Sequence, residues 1–135
     1  MKTAVFYYSR SNNTKRLAEA IAEELGVESR PVSEALSENA EKLFLGCSVY
    51  KATYDPAVET FLRANADKIG ELFVFGSAAS GRSVHKKLSK LCDELKIKLS
   101  DKYFSCPGSF LFMNKGRPNE SDLAGAKRFA KEAMN

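Results

Sequence analysis

Hydroxyl and amide side chains cluster between residues 9 and 14, directly after a short apolar run and before an amphipathic pattern. The hydroxyls belong to Ser9, Ser11 and Thr14, and the amides to Asn12 and Asn13. The first backbone N–H groups of a helix have no intrahelical partner and lie at the positive end of the helix dipole, so a phosphate bound there gains several charge-assisted donors. The segment therefore predicts a phosphate-binding turn, with a plain helix cap as the alternative.

The residues on either side of this turn predict the elements that position it. Residues 3–8 have the apolar and aromatic composition of a strand. From residue 17 to residue 25, apolar side chains recur at helical spacing, and Gly26 is well placed to end that helix. The turn is thus expected at the carboxyl end of the first strand.

The rest of the chain alternates short apolar runs with helical patterns, while residues 33–40 suit a short helix or a loop. Further strands are predicted at residues 28–32, 42–46, 71–76 and 102–106, and further helices from Asp55-Pro56, from near Val84 and from Asn119. Five strands alternating with about five helices favour parallel strands joined by crossover helices. We expect one α/β domain over residues 1–135, with a three-layer, doubly wound, five-stranded parallel sheet.

Two segments resemble the flavodoxin family. The run Ser9-Arg10-Ser11-Asn12-Asn13-Thr14 is similar to the FMN-phosphate loop of flavodoxins, where hydroxyl residues alternate around a small central residue. Asn12 stands where many relatives have glycine, but asparagine tolerates positive φ better than other non-glycine residues. Gly46-Cys47-Ser48-Val49-Tyr50 is similar to the pattern that brings the loop after the third strand of flavodoxins close to the flavin.

The resemblance implies strand order 2-1-3-4-5 and FMN bound by the loops after strands one, three and four. Tyr50 is expected to cover one face of the ring together with nearby backbone groups, although it could instead fill the underside of its loop. No aromatic residue lies between Phe75 and Tyr103, so the outer face is expected to be open or covered by Tyr54. The residues expected to contact the cofactor are Ser9, Arg10, Ser11, Asn12, Asn13, Thr14, Ser48, Val49, Tyr50, Lys51, Ala52, Tyr54, Ser77, Ala78, Ala79, Ser80 and Gly81.

A third stretch of resemblance lies near the end of the chain. The run Gly116-Arg117-Pro118-Asn119-Glu120-Ser121-Asp122-Leu123, preceded by Cys106-Pro107-Gly108, is similar to the end of a group of short bacterial flavodoxin-family proteins. Asn119 and Asp122 have the spacing of a helix capping pair. This stretch therefore predicts a structural role.

Composition excludes several other classes of protein. The net charge is +4, with basic residues scattered among acidic ones, which favours solvated helix faces over nucleic-acid binding. No apolar run of about 18 residues or signal-peptide pattern is present, so we expect a soluble, cytoplasmic protein without membrane insertion.

The three cysteines form no C-x-x-C pair and are expected to be buried. His85, the only histidine, is expected to be a surface or capping residue.

The resemblance implies electron transfer through FMN, as a carrier or a small flavin-dependent reductase without a catalytic side chain or a metal. The expected partners are a redox protein or a small quinone-like acceptor. The basic charge, with Lys51 in the ring loop, predicts a less negative reduction potential than that of acidic flavodoxins. The alternative is a flavodoxin-fold interaction or regulatory module that binds no flavin. A response-regulator-like receiver is disfavoured, since Ser9 and Ser48 stand where its acidic cluster would be.

Overall fold

The structure, a computed structural model, describes residues 2–9, 12–49, 53–78, 84–107 and 116–135. Within these residues, five strands form one sheet in which every neighbouring pair is parallel. They are β1 (Thr3–Tyr8), β2 (Ser29–Pro31), β3 (Ala40–Val49), β4 (Ile69–Ala78) and β5 (Lys98–Pro107). The order β2-β1-β3-β4-β5 confirms the expected fold.

Helices connect the strands, and the described residues contain four α-helices and one 3₁₀ turn rather than about five helices. They are α1 (Asn13–Leu25), α2 (Pro56–Asn65), the 3₁₀ turn Ala66–Lys68, α3 (His85–Leu95) and α4 (Glu120–Ala133). Residues 33–39 contain turns and no helix. Gly26 ends α1 as expected, because it adopts a φ of 70° and lets the N–H of Val27 donate to the carbonyl of Ala22 at 3.0 Å.

Three strands are longer than their apolar cores predict. Ser48 pairs with Ser77 and Val49 with Ala78 in the ladder between β3 and β4, so these residues are strand ends and not loops. Small polar residues have weak strand propensity, and the pairing of two neighbouring strands is what extends the ladder through them. β5 likewise begins at Lys98, well before the expected start, and carries a register shift between its pairings with Leu72 and Val74.

The core has two layers, one on each face of the sheet. On one face, α2 and α3 pack with Val58, Leu62 and Leu88 fully buried. On the other face, α1 and α4 pack around an aromatic group in which Phe44 stacks on Phe73 and meets the edge of Phe129. The expected three-layer arrangement is therefore present.

Gly46 lets α1 approach β3 closely. A Cβ atom at this position would lie 2.6 Å from the ring of Phe75 and 2.8 Å from the methyl group of Thr14. Because real Cβ contacts are longer than this, only glycine fits without a shift of the Phe75 ring and of the first turn of α1. The first turn of α1 is thereby held against the middle of the sheet.

The start of α4 is secured by its own sequence. The side chain of Asn119 accepts from the N–H of Asp122 at 3.0 Å, and the carboxylate of Asp122 accepts from the N–H of Asn119 at 2.9 Å, which confirms the capping pair. Arg117 adds two hydrogen bonds to the same carboxylate, at 2.5 and 2.7 Å. The Arg117 guanidinium lowers the pKa of Asp122, and the backbone N–H of Asn119 acts in the same direction.

No helix in the described ranges is long and apolar enough to cross a membrane. The three cysteines are buried and unpaired, as expected. Burial raises the pKa of Cys47 to about 12, that of Cys106 to about 12 and that of Cys92 to about 11. They are therefore thiols at neutral pH.

Candidate cofactor site

The first turn of α1 begins without a side-chain cap. Asn12 is the N-cap residue and adopts a φ of 70°, in agreement with the expectation that asparagine permits a left-handed turn here. Its exposed side chain makes no capping hydrogen bond, and its carbonyl accepts from the N–H of Arg16 at 3.1 Å. The plain helix cap, the alternative interpretation of this segment, is therefore absent at Asn12.

Ser9 lies directly after β1, and its hydroxyl is an unpaired buried group. The Oγ atom is shielded from solvent and has no hydrogen-bond partner among the described residues. Leaving a buried polar atom unsatisfied costs about 1–3 kcal/mol, so such atoms are rare in stable folds. A hydroxyl without a protein partner, beside a helix start without a side-chain cap, is typical of a turn that binds an anion.

Three hydroxyls join the elements at this edge of the sheet. The Oγ1 atom of Thr14 lies 3.1 Å from the Oγ of Ser48 and 2.9 Å from the Oγ of Ser77, and all three side chains are buried. The contacts connect α1 to the carboxyl ends of β3 and β4. The three segments expected to hold the cofactor thus converge, and the Thr14 hydroxyl is directed toward the strands.

Asn13 is also buried in the first turn of α1, whereas Tyr54 is half-buried. Tyr54 packs against the core on the α2 and α3 face, and burial followed by the charge of Glu59 raises its pKa. Val49 and Ala78 are paired at the ends of β3 and β4. The other expected contacts, Arg10, Ser11, Tyr50, Lys51, Ala52, Ala79, Ser80 and Gly81, lie outside the described residues.

Two helix starts at this edge of the sheet are positively charged. The first turn of α1 contains Lys15 and Arg16 and no acidic residue, and that of α3 contains Lys86 and Lys87 and no acidic residue. Val84, the N-cap residue of α3, makes no side-chain capping bond. Cations in these positions add to the positive end of the helix dipole.

His85 is the first residue of α3, as its sequence position suggested, and it also makes contacts with β5. It is half-buried between α3 and β5, where its ring stacks on Tyr103 with a centroid distance of 4.5 Å. Its Nε2 lies 2.8 Å from the carbonyl oxygen of Ser100. His85 therefore connects α3 to β5, a contact between distant residues that no local pattern could predict.

A cavity of about 480 Å³ lies elsewhere, between β1 and the segment that leads from β2 to β3. Its charged side chains pair with each other: Lys2 with Glu38, and Arg30 with both Glu28 and Glu34. Because these charges are already paired, the cavity offers less to an ionic ligand than the start of α1. In the described ranges, no group of three or more His, Cys, Asp or Glu side chains could hold a metal ion.

Comparisons with known proteins agree with this arrangement. The sequence model of the family described as “Flavodoxin domain” matches residues 4–102. An uncharacterized protein of Methanocaldococcus jannaschii is 29% identical over 154 aligned positions, which cover 99% of each chain. The chain therefore belongs to the flavodoxin family, and membership of that family implies a flavin cofactor.

Solved structures share the fold. A flavodoxin from the domain Archaea superposes with a TM-score of 0.76 and 22% identity, covering 98% of this chain and 95% of that one. Oxidised Flavodoxin 2 from Bacillus cereus gives a TM-score of 0.69 and 19% identity, with 97% and 96% covered. Rubredoxin oxygen:oxidoreductase from Desulfovibrio gigas gives 0.69 and 18%, with 96% of this chain but 34% of that longer chain covered.

Proposed function

We propose that this chain binds FMN at the carboxyl edge of its sheet and transfers electrons through the flavin to a redox partner. The observation that carries the proposal is that the unpartnered Ser9 hydroxyl and the uncapped start of α1 occur in the same segment. Both features offer hydrogen-bond donors to an anion and make no capping contact of their own. FMN differs from riboflavin by the phosphate group that such a turn would bind.

The phosphate is assigned to residues 9–14. The Ser9 hydroxyl and the first N–H groups of α1 would donate to its oxygens, and Lys15 and Arg16 add positive charge nearby. Thr14 holds the turn against β3 and β4 through Ser48 and Ser77. Its contribution is therefore to position the turn, in addition to any direct contact.

The flavin ring is assigned to the loops that follow β3 and β4. Support comes from the fold, because ligands of doubly wound sheets bind beyond the carboxyl ends of the strands where the strand order reverses. Here that reversal lies between β1 and β3. Tyr50, Tyr54 and the small residues 77–81 remain the proposed ring contacts.

The flavin supplies the redox chemistry, and the protein determines its position and electrostatic surroundings. Cys47 and Cys106 lie at the carboxyl ends of β3 and β5 but are protonated, which disfavours a thiolate as a second redox centre. The net charge of +4 and the cations of α1 favour the redox state in which a bound group carries more negative charge. We therefore propose a carrier with a reduction potential less negative than that of acidic flavodoxins.

Parallel titrations with FMN and riboflavin, followed by quenching of flavin fluorescence, test this proposal. We expect FMN to bind at least about tenfold more tightly, since each charge-assisted hydrogen bond contributes about 1.5–3 kcal/mol. Ser9→Ala should reduce this preference, whereas Ser37→Ala, an exposed serine at the other end of the sheet, should not. Equal affinity for the two flavins would contradict the phosphate assignment, and no quenching by either would favour the module that binds no flavin.

A further inference from the structure

Three exposed lysines lie in the first two turns of α3. Lys86, Lys87 and Lys90 are exposed and form no ion pair with any part of the chain that the structure describes. Lys90 is suitably spaced for a bond to Glu94, yet the Glu94 carboxylate is bound by Arg63 of α2 at 2.6 Å. The lysines therefore form a compact cationic surface.

These lysines are unfavourable for the helix that contains them. Lys86 and Lys87 lie in the first turn, where the helix dipole favours acidic side chains. α2 and α4 follow the rule, with Glu59 in one first turn and Glu120 with Asp122 in the other. A local rule that is broken without a compensating contact inside the fold indicates a role outside it.

An exposed aromatic ring packs on His85, the residue that precedes Lys86. Tyr103 is 49% exposed, and its ring is braced by stacking on His85, the first residue of α3. The register shift of β5 lies just before it, where Ser100 accepts from the N–H of Lys102 at 3.0 Å and from His85 through its carbonyl. Irregularities of this kind redirect side chains and interrupt edge pairing. Tyr103 is thus held at the surface in a fixed orientation.

We propose that Lys86, Lys87, Lys90 and Tyr103, here called the α3 surface, form the docking site for an acidic protein partner. A braced aromatic side chain beside cations is typical of protein interfaces, in which aromatic residues contribute most of the affinity and charge directs encounter. Nucleic acid would need a longer cationic track, and here Asp93, Glu94 and Asp101 border the lysines. The inference rests on the proposed electron transfer, since α3 begins at the same edge of the sheet as the FMN site.

The test is a titration of the ¹⁵N-labelled full-length chain, with and without FMN, using three probes at low salt. The probes are an acidic [2Fe–2S] ferredoxin, a basic cytochrome c and a short oligothymidylate. We expect only the ferredoxin to shift the amide resonances of residues 85–90 and 102–104, and about 200 mM salt to weaken its binding. Docking without FMN binding would disprove the proposed function alone, whereas FMN binding without docking would disprove this inference alone.

Charge reversal distinguishes a specific surface from general attraction. The triple variant Lys86→Glu, Lys87→Glu, Lys90→Glu should weaken ferredoxin binding by about tenfold or more. The control is Lys127→Glu, Arg128→Glu, Lys131→Glu on α4, which changes the net charge equally on the opposite face of the sheet. Tyr103→Ala should weaken binding and Tyr103→Phe should preserve it. Equal losses in the two triple variants, or oligothymidylate binding at the α3 surface, would overturn the inference.

Discussion

The four α-helices in the described part of the chain start in two contrasting ways at the same edge of the sheet. α2 and α4 are capped by Asp55 and Asn119 and have acidic first turns. α1 and α3 have no side-chain cap, and their first turns contain lysine or arginine and no acid. The capped starts stabilise the fold, whereas the uncapped starts combine the positive end of the helix dipole with cationic side chains.

The largest expected effect lies at a capped start. Asp122→Ala removes the capping box of α4 and the partner of Arg117, so we expect the free energy of unfolding to fall by about 2 kcal/mol. Urea denaturation measures the loss. Affinity for FMN should change little. A large loss of FMN binding with unchanged stability would contradict the claim that the capped start of α4 stabilises the fold and does not bind the cofactor.

The same carboxylate gives a pH dependence with a defined sign. The pKa of Asp122 is lower in the folded chain, so its stabilising contribution is present above the unfolded pKa and is lost as the pH falls through the folded value. Asp122→Asn should therefore lose less stability than the wild type between about pH 5 and pH 2. Urea denaturation of both proteins over this pH range measures the free energy of unfolding. If both proteins lose the same amount of stability, the Asp122 carboxylate is not the cause.

At the uncapped start of α1, a substitution should affect stability and binding in opposite directions. Ser9→Ala removes a buried unpaired hydroxyl and should raise the stability of the flavin-free chain by about 1 kcal/mol. FMN should bind more weakly, so the gain in thermal stability on adding FMN should shrink. Thermal unfolding with and without FMN measures both. A less stable flavin-free variant would show that the hydroxyl has a structural partner.

The smallest effect is expected at the start of α3. Replacing Lys87 with glutamate in the first turn should raise the stability of the chain by about 0.5 kcal/mol, because the helix dipole then favours the side chain. The matched control is Lys131→Glu in the last turn of α4, where a cation is favourable and its loss should destabilise. Salt should diminish both effects. A shift of the same sign in both variants would argue against the dipole as the cause.

The sequence predicts elements whose signals are local. β1 and the cap residues Gly26, Asp55 and Asn119 lie where apolar patterns and capping chemistry place them. The carboxyl ends of β3 and β4 were missed, because Ser48 and Ser77 become strand residues only through their mutual register. Local patterns contain no information on such long-range pairing.

In the candidate site, too, local features can be predicted from the sequence and long-range contacts cannot. The sequence predicts which segments converge at the carboxyl edge and that Asn12 permits the turn, since both follow from topology and backbone preference. It does not predict that the Thr14 hydroxyl faces Ser48 and Ser77, that Ser9 is left without a partner, or that His85 supports Tyr103. These contacts depend on how closely α1 and α3 approach the sheet. Gly46 permits that approach for α1.

The most direct test of the central claim is to follow the backbone amides at the start of α1 by NMR while FMN or riboflavin is added. The uncapped start predicts that FMN shifts the amide resonances of residues 12–16 and that riboflavin leaves them nearly unchanged, because only FMN carries the phosphate. Equal shifts with both flavins, or FMN-induced shifts that leave residues 12–16 unaffected, would contradict it.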